Sequence, residues 1–547
     1  MRAAAIAIAL GAVLATPAAA AGQAPQLIRF DGGAYDRAAA ITTDGAGNSY
    51  VGGSVESPGG ASPFAVVKLG PDGTRRWTAR YDGSRGGVGG EARAVAVDAA
   101  GNVYAAGYVH DGVIFNQNYD YLVVKFAPDG TPRWAQCYNG PGNNSDFASA
   151  VLVDGAGSVH VTGFSYGQGY DWATLKFAPD GALRWERRLS GPGSSDDRAA
   201  GMALLPDGNL VVSGVMQNTG DGLTNDAETL AYDVQGSIAW RARWSDTTAS
   251  HELVSDLDVD ASGRIAITGT TAESPSPYAP PSAVTLRYDS SGGLLQTIRA
   301  DGGSSVDVDA AGNFYLAGFF VAPPGLSSVA RYDAAGGRVW ATPLTAGSSD
   351  ALSAPLVAAD STGAVTVAAT VRDPSTGNGD YLTMRFAADG RELWRYRFHG
   401  QDDPGQQDEV AGLAIDSGDA ALVTGTSWNG YVSIGGTATD IVTLKFPAGA
   451  APALLAPSQL DATPLSNSQI RLRWQDNAGT EDGFRIERCA GTGCTGFTQV
   501  AVVGHDMTSH VDGGLARNTA YSYRVRAFNA AGVSAYSNTA TGKTRRK

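Results

Sequence analysis

The segment VDAAGN occurs at residues 97–102 and again at 308–313. Aligning the chain on it recovers eight related stretches: ITTDGAGNSYVGG, VAVDAAGNVYAAG, VLVDGAGSVHVTG, MALLPDGNLVVSG, LDVDASGRIAITG, VDVDAAGNFYLAG, LVAADSTGAVTVAA and LAIDSGDAALVTG. Their anchor positions are Asp44, Asp98, Asp154, Leu205, Asp260, Asp309, Asp360 and Asp416. A period of roughly fifty residues restricts the fold to architectures whose units stack, because a single unit of that size cannot bury its own apolar face.

Each unit has the same inner order. In the second, EARAVAVDAAG, NVYAAGYV, YDYLVVKFA and PRWAQCYNG each read as a strand, with Asp/Gly turns between them. Asp-Gly and Gly-Asn pairs supply the left-handed conformations that short hairpins need. With 72 Gly and only 17% charged residues, the chain suits short strands and turns better than long helices. Four antiparallel strands repeated eight times predict an all-β chain built as an eight-bladed β-propeller, with seven blades the alternative. The ends bear on this. The last unit stops at ATDIVTLKFPAG without a fourth strand, and QLIRFDGG near the front resembles the missing one. Closure by that N-terminal strand would remove the open edges of the array.

The unit resembles the secreted bacterial propeller repeat called SBBP, with its D-x-x-G-N-x-Y-x-x-G and D-Y-x-x-x-K-Y/F-x-x-x-G-x-x-x-W signatures. The resemblance covers residues 26–446 and is best in the second and third units. Elsewhere Leu205 replaces the anchor Asp, Ala369 the late Gly, and Leu294 or Leu295 stands where other units have Trp. It implies a fold and an export route. The start, MRAAAIAIALGAVLATPAAAA, has a charged first segment and a short apolar one, as a signal peptide does. It is short for a membrane span, and the mature chain is expected to be secreted or periplasmic, with no membrane insertion.

Beyond the Pro/Ala segment PAGAAPALLA, QLDATPLSNSQIRLRWQDNAGTEDGFRIERC and NTAYSYRVRAFNAAGVSAYSN resemble a fibronectin type III domain. Trp474 fits its core Trp, and Leu515 and Tyr521 fit the corner whose Tyr hydroxyl bonds back to the backbone. The expected organisation is a signal peptide at 1–21, a propeller at 22–446, a linker at 447–456 and a fibronectin type III domain at 457–547. In an exported chain, Cys489 and Cys494 are expected to form a disulfide, and Cys137 to be a buried, inert thiol.

Residues 22–455 carry 28 Lys+Arg against 47 Asp+Glu, and residues 456–547 carry 11 against 7. An acidic body repels phosphates and argues against nucleic acid. GFSYG at 163–167 matches G-x-S-x-G, but a nucleophile elbow needs a strand-to-helix turn, and Ser165 follows a strand and precedes a loop. The six histidines show no metal-binding spacing.

Two sets of carboxylates stand out. Asp36, Glu91, Asp146, Asp197, Glu252, Asp301 and Asp408 lie seven to eight residues before each anchor, with Asp350 off register. They should form a ring at one mouth, fixing inter-blade loops through backbone N–H bonds or, alternatively, attracting cations. Asp256, Asp258 and Asp307 occupy inner-strand positions that are small in most units, such as Ala94 and Ala96. Asp256, Asp258 and Asp260 share a strand face, so these carboxylates should face channel water, pair with a base such as Arg264, or hold a cation such as calcium. The bases before an aromatic (Lys68, Lys125, Lys176, Arg287, Arg331, Arg385, Lys445) and the fourth-strand tryptophans read as repeat-holding residues.

Taken together, an exported, non-catalytic, monomeric binding or scaffold protein without a cofactor is expected. Its ligand would be a surface glycan or extracellular protein, met through variable aromatic loops such as 110–120 and 272–282. The alternatives are a propeller glycosidase or lyase, or a purely structural cell-surface component.

Overall fold

A computed structural model describes residues 25–547 except 33–34, 57–61, 82–88, 111–117, 193–195, 218–223, 248–249, 274–280, 300, 321–325, 346–350, 373–377, 401–406, 433–435, 450–453, 506 and 530–531. The expected signal peptide, Asp350 and most of the two aromatic loops lie outside the described residues. The protein is all-β, in two compact units, Pro25–Ala448 and Gly449–Lys547.

The first unit holds eight antiparallel four-stranded sheets among the described residues. The second sheet is typical, with Gly90–Val97, Val103–His110, Tyr119–Phe126 and Pro132–Tyr138 in sequential order. The eighth takes Glu409–Ile415, Ala421–Val432 and Gly436–Phe446 from the end of the unit and Gln26–Phe30 from its start. That N-terminal strand runs antiparallel from Gln26↔Lys445 to Phe30↔Ile441. The first strand of each sheet packs against the first strand of the next, and that of the eighth against that of the first.

The repeat's marker residues serve two jobs. The anchor Asp closes the first hairpin: Asp98 accepts from the Ala100 and Asn102 amides, Asn102 Nδ2 and Tyr104 Oη at 2.8–3.0 Å. Burial pushes this carboxyl up, but those bonds outweigh it and leave it below the usual range, as for Asp44 and Asp309. In the fourth sheet Leu205 is instead buried in the core, and Asp207 takes over the bonds to Asn209.

The base and the Trp join neighbouring sheets. Lys125 Nζ and Trp134 Nε1 both donate to the Pro179 carbonyl in a turn of the third sheet, at 3.2 and 3.1 Å. Lys68 and Trp77 reach Pro128 in the same way, and Arg331 and Trp340 reach Ala388. From the eighth sheet, Lys445 Nζ donates to Pro71 O of the first at 2.9 Å. Gln26 holds the Trp register there and donates to Asp72 O at 2.6 Å. In the fifth sheet the Trp register belongs to Gln296, which donates to Gly336 O, and not to Leu294 or Leu295. Those two leucines are about half exposed, so alignment by side-chain type misplaced them. Cys137 is likewise exposed rather than buried, because it lies on the outermost strand of its sheet.

The late Gly of each repeat is a steric requirement. A Cβ on Gly163 would sit 2.1 Å from Phe147 O of the adjacent first strand, and one on Gly107 1.9 Å from Glu91 O. The seventh sheet tolerates Ala369 because its bulge is longer, spanning Ser353 to Leu356 with Ala354 at φ 36°. Gly163→Ala should therefore cost about 3 kcal/mol or more in urea unfolding, while Ala369→Gly should cost less than about 1 kcal/mol. Equal costs would refute the steric account.

The second unit pairs Ser458–Pro464, Ile470–Gln475 and Ser509–Asp512 in one sheet. A second sheet is built around Gly483–Ala490 and Ala520–Asn529. Trp474 and Leu515 are buried between them, and Tyr521 Oη accepts from the Ala516 amide at 3.0 Å. Cys489 and Cys494 form a disulfide with Cα atoms 6.1 Å apart.

Candidate functional site

The carboxylates that open each repeat are buried rather than lining a water-filled mouth. Asp146 accepts from the Gly140 amide, in the segment arriving from the previous sheet, at 2.8 Å, and from the Tyr166 amide at 3.0 Å. Asp197 bridges Gly191 and Gln217, Asp408 bridges Gly400 and Trp428, and Asp36 bridges Gly32 and Glu56 in the same way. Glu252 accepts from the Asp246 amide at 3.1 Å and Thr271 Oγ1 at 3.2 Å, and Asp301 from Tyr332 Oη at 2.5 Å. Each fixes the crossover into its sheet. Burial raises Asp36 to about 6 and also raises Asp146, Glu252 and Asp408.

Glu91 does not belong to this set. Strand register aligns it with Arg37 and Phe147, and Gly90 holds the position of Asp36 and Asp146. A one-residue offset moves a side chain to the other face of a strand. Glu91 meets Tyr108 Oη at 3.2 Å, Arg93 Nε at 3.3 Å and Arg37 Nε at 3.5 Å.

Asp256, Asp258 and Asp307 turn their carboxylates to the next sheet. Asp256 accepts from the Val306 amide and Ser305 Oγ at 3.0 Å, Asp258 from the Val308 amide at 2.9 Å, and Asp307 from the Ala359 amide at 2.7 Å. They cap backbone N–H groups on the first strands of the sixth and seventh sheets. Burial raises Asp256 to about 6 and Asp258 to about 7, with nearby Asp307 adding to both, and raises Asp307 too. Arg264 pairs with Asp260 at 2.6 Å and not with these three. Among the described residues, the carboxylates whose oxygens converge within 4.8 Å are Asp31, Asp36 and Asp440 instead, and Arg29 Nη1 already lies 2.7 Å from Asp440.

Ser165 is fully buried and its Oγ accepts from Arg188 Nη1 at 2.6 Å, so it is not placed as a nucleophile. His160 holds the register of the repeat Tyr, 3.3 Å from Asp154, where burial lowers it.

Sequence reasoning missed a belt of aromatics on the second and third sheets. Tyr108 and Phe164 lie two residues before the ends of the second strands of these sheets and face Glu91 and Phe147 across the ladder. Ring centroids link Tyr119 to Tyr108 (5.0 Å), Tyr108 to Phe147 (5.2 Å), Phe147 to Phe164 (5.3 Å) and Phe164 to Tyr170 (5.3 Å), with His110 against Tyr119 (5.5 Å). All six are half-buried. Arg93 lies over Tyr108 and Phe147, and Arg198 over Phe164 and Tyr170. Beside the belt is a depression of about 440 Å³ lined by Arg37, Glu91, Arg93, Ser149, Glu409 and Thr426. The available signal was positional: the register of Tyr108 and Phe164 is Ser54 in the first sheet.

Residues 455–543 match the family model described as fibronectin type III domain. Similar solved structures include an Fn3-like protein from Clostridium thermocellum, 26% identical over 16% of this chain and 86% of that one, TM-score 0.14. The FN5 domain of Drosophila Lar is 25% identical over 17% and 96%, TM-score 0.15. "Crystal Structure of FN3tt" is 25% identical over 17% and 97%, TM-score 0.14. No curated protein matches the chain.

Proposed function

Starting from a chain with a fibronectin type III domain at residues 455–543, we propose that the eight preceding sheets are the blades of a closed eight-bladed β-propeller. Support comes from the cyclic packing of first strands, the N-terminal strand in the eighth sheet, and the Lys445 and Gln26 contacts to the first. The chain is an exported, monomeric, non-catalytic binding protein that recognises a surface glycan, with the fibronectin type III domain as spacer or docking module. No cofactor, nucleic acid or membrane insertion enters the proposal. Among the described residues no helix is long and apolar enough to cross a membrane.

The observation that carries the glycan reading is the aromatic belt beside the charged depression. Half-buried rings on a rigid sheet end offer flat apolar area at low ordering cost, which suits the C–H faces of sugars. Asp256, Asp258 and Asp307 favour a structural role over glycosidase chemistry, since each carboxylate already accepts a backbone amide. The test is a glycan and protein array probed with residues 22–547, in calcium and then in chelator. Glycan binding that survives chelator and is lost in Phe147→Ala is expected. Binding of proteins alone would overturn the glycan reading, and loss in chelator would bring a cation back into it.

A further inference from the structure

The depression and the belt differ in charge from the body that holds them. Arg37 and Arg93 both address Glu91, one carboxylate that is itself 5% exposed. The other acid lining the depression, Glu409, is held by Arg372 at 2.6 Å. Among the described residues, two guanidiniums on one carboxylate leave one positive charge without an equal, in a repeat region that carries 47 acidic residues against 28 basic ones between 22 and 455. Both arginine side chains are open to solvent, at 66% and 38%. Arg93 is also braced by the faces of Tyr108 and Phe147, at 4.8 and 5.2 Å from the ring centroids. A braced guanidinium loses little freedom on binding and presents its donors in a fork that matches a carboxylate.

Resting on the glycan reading above, we propose that this depression is a subsite for a carboxylate-bearing sugar, and that the ligand is a uronate-containing glycan. One uronate carboxylate sits between Arg37 and Arg93, with Ser149 lining the same space, and neighbouring sugar units lie along Tyr119, Phe147 and Phe164. The acidity of the rest of the body does not forbid this. At physiological ionic strength screening acts within about 8 Å, so the local pair of guanidiniums governs the contact. A neutral glycan would leave that excess charge unused.

The experiment uses residues 22–547 and tetrasaccharides in matched pairs. Galacturonate, mannuronate and hyaluronan oligomers are each compared with their own methyl esters by titration calorimetry at low and high salt. At least one acid is expected to bind roughly tenfold more tightly than its ester, as one charge-assisted contact of about 1.4 kcal/mol would give. Arg37→Gln and Arg93→Gln should each abolish that preference with an unchanged melting temperature, and Phe147→Ala should weaken acid and ester alike. An ester that binds as well as its acid overturns the carboxylate subsite but leaves the glycan reading standing. An acid preference that persists in both Arg variants places the charge recognition elsewhere and overturns it too. No binding by any acid, together with an array without glycan hits, overturns both.

Discussion

A chain that begins at residue 32 is expected to lose more than about 10 °C in melting temperature, or to aggregate on expression, because the eighth sheet then ends in a bare edge. The loss has three parts. Phe30 leaves a cluster with Ala38, Val51, Val55, Val67, Leu69 and Ile441, and a buried Phe is worth about 3–5 kcal/mol. Arg29 leaves Asp440, whose side chain is 1% exposed, and removing one partner of a buried ion pair costs about 3–5 kcal/mol. Gln26 leaves Asp72 O, so one of the joints between the eighth and first sheets goes with it. Together these rival the whole stability of an ordinary domain, about 5–15 kcal/mol. A synthetic peptide of residues 22–31 added to the truncated chain should restore the melt, since the missing strand docks by main-chain pairing. An unchanged melting temperature in the truncated chain would mean that the N-terminal strand is not a closing element.

How much of this was legible beforehand follows from which features are local. The turns are, and Asp-x-x-Gly-Asn marks the hairpin because the anchor carboxylate closes it within six residues. The N-terminal strand showed in RFDG (29–32) because it repeats the RYDG (80–83) of a complete unit. The carboxylate set could be listed, and its spacing already sorts it. Glu91 lies seven residues before its anchor, as Arg37 does, while Asp36, Asp146, Asp197, Glu252, Asp301 and Asp408 lie eight before theirs, and a window of seven to eight merges two registers that face opposite sides of the strand. Spacing likewise points to Gln296, since Trp77, Trp134, Trp185, Trp340 and Trp394 each follow their base by nine residues and Gln296 follows Arg287 by nine, whereas matching by apolar character points to Leu294 or Leu295. The aromatic belt is nonlocal altogether. Tyr119, Tyr108, Phe147 and Phe164 come from four strands in two sheets, and only the register brings them together.

Asp258→Asn, alone and with Asp256→Asn, is expected to make the protein more stable than the wild type at pH 8 and no more stable at pH 5. The sign follows from linkage. Asp256 and Asp258 have folded-state values of about 6 and about 7, raised from an ordinary 3.8 by burial. Between pH 4 and 7 the folded chain therefore binds more protons than the unfolded one, and stability falls as pH rises through that window. A shift of three units corresponds to roughly 4 kcal/mol for one group, an upper bound here because the two carboxyls and Asp307 titrate together. Asp36, at about 6, adds to the same slope. The anchors act oppositely. Asp44, Asp98 and Asp309 lie below their ordinary value, so their contribution is present above pH 4 and is lost as pH falls through their folded values. The wild type should thus be most stable near pH 5, with acid unfolding governed by the hairpin anchors and alkaline loss by the inner-strand carboxyls. Asparagine keeps an oxygen for the Val306 and Val308 amides and removes the buried charge, which is why the gain is confined to high pH. Urea midpoints across pH 4–9 decide the matter. If the Asn variants are instead weaker at pH 8, and calcium stabilises only the wild type there, then these carboxylates hold a cation and the capping role assigned to them is wrong.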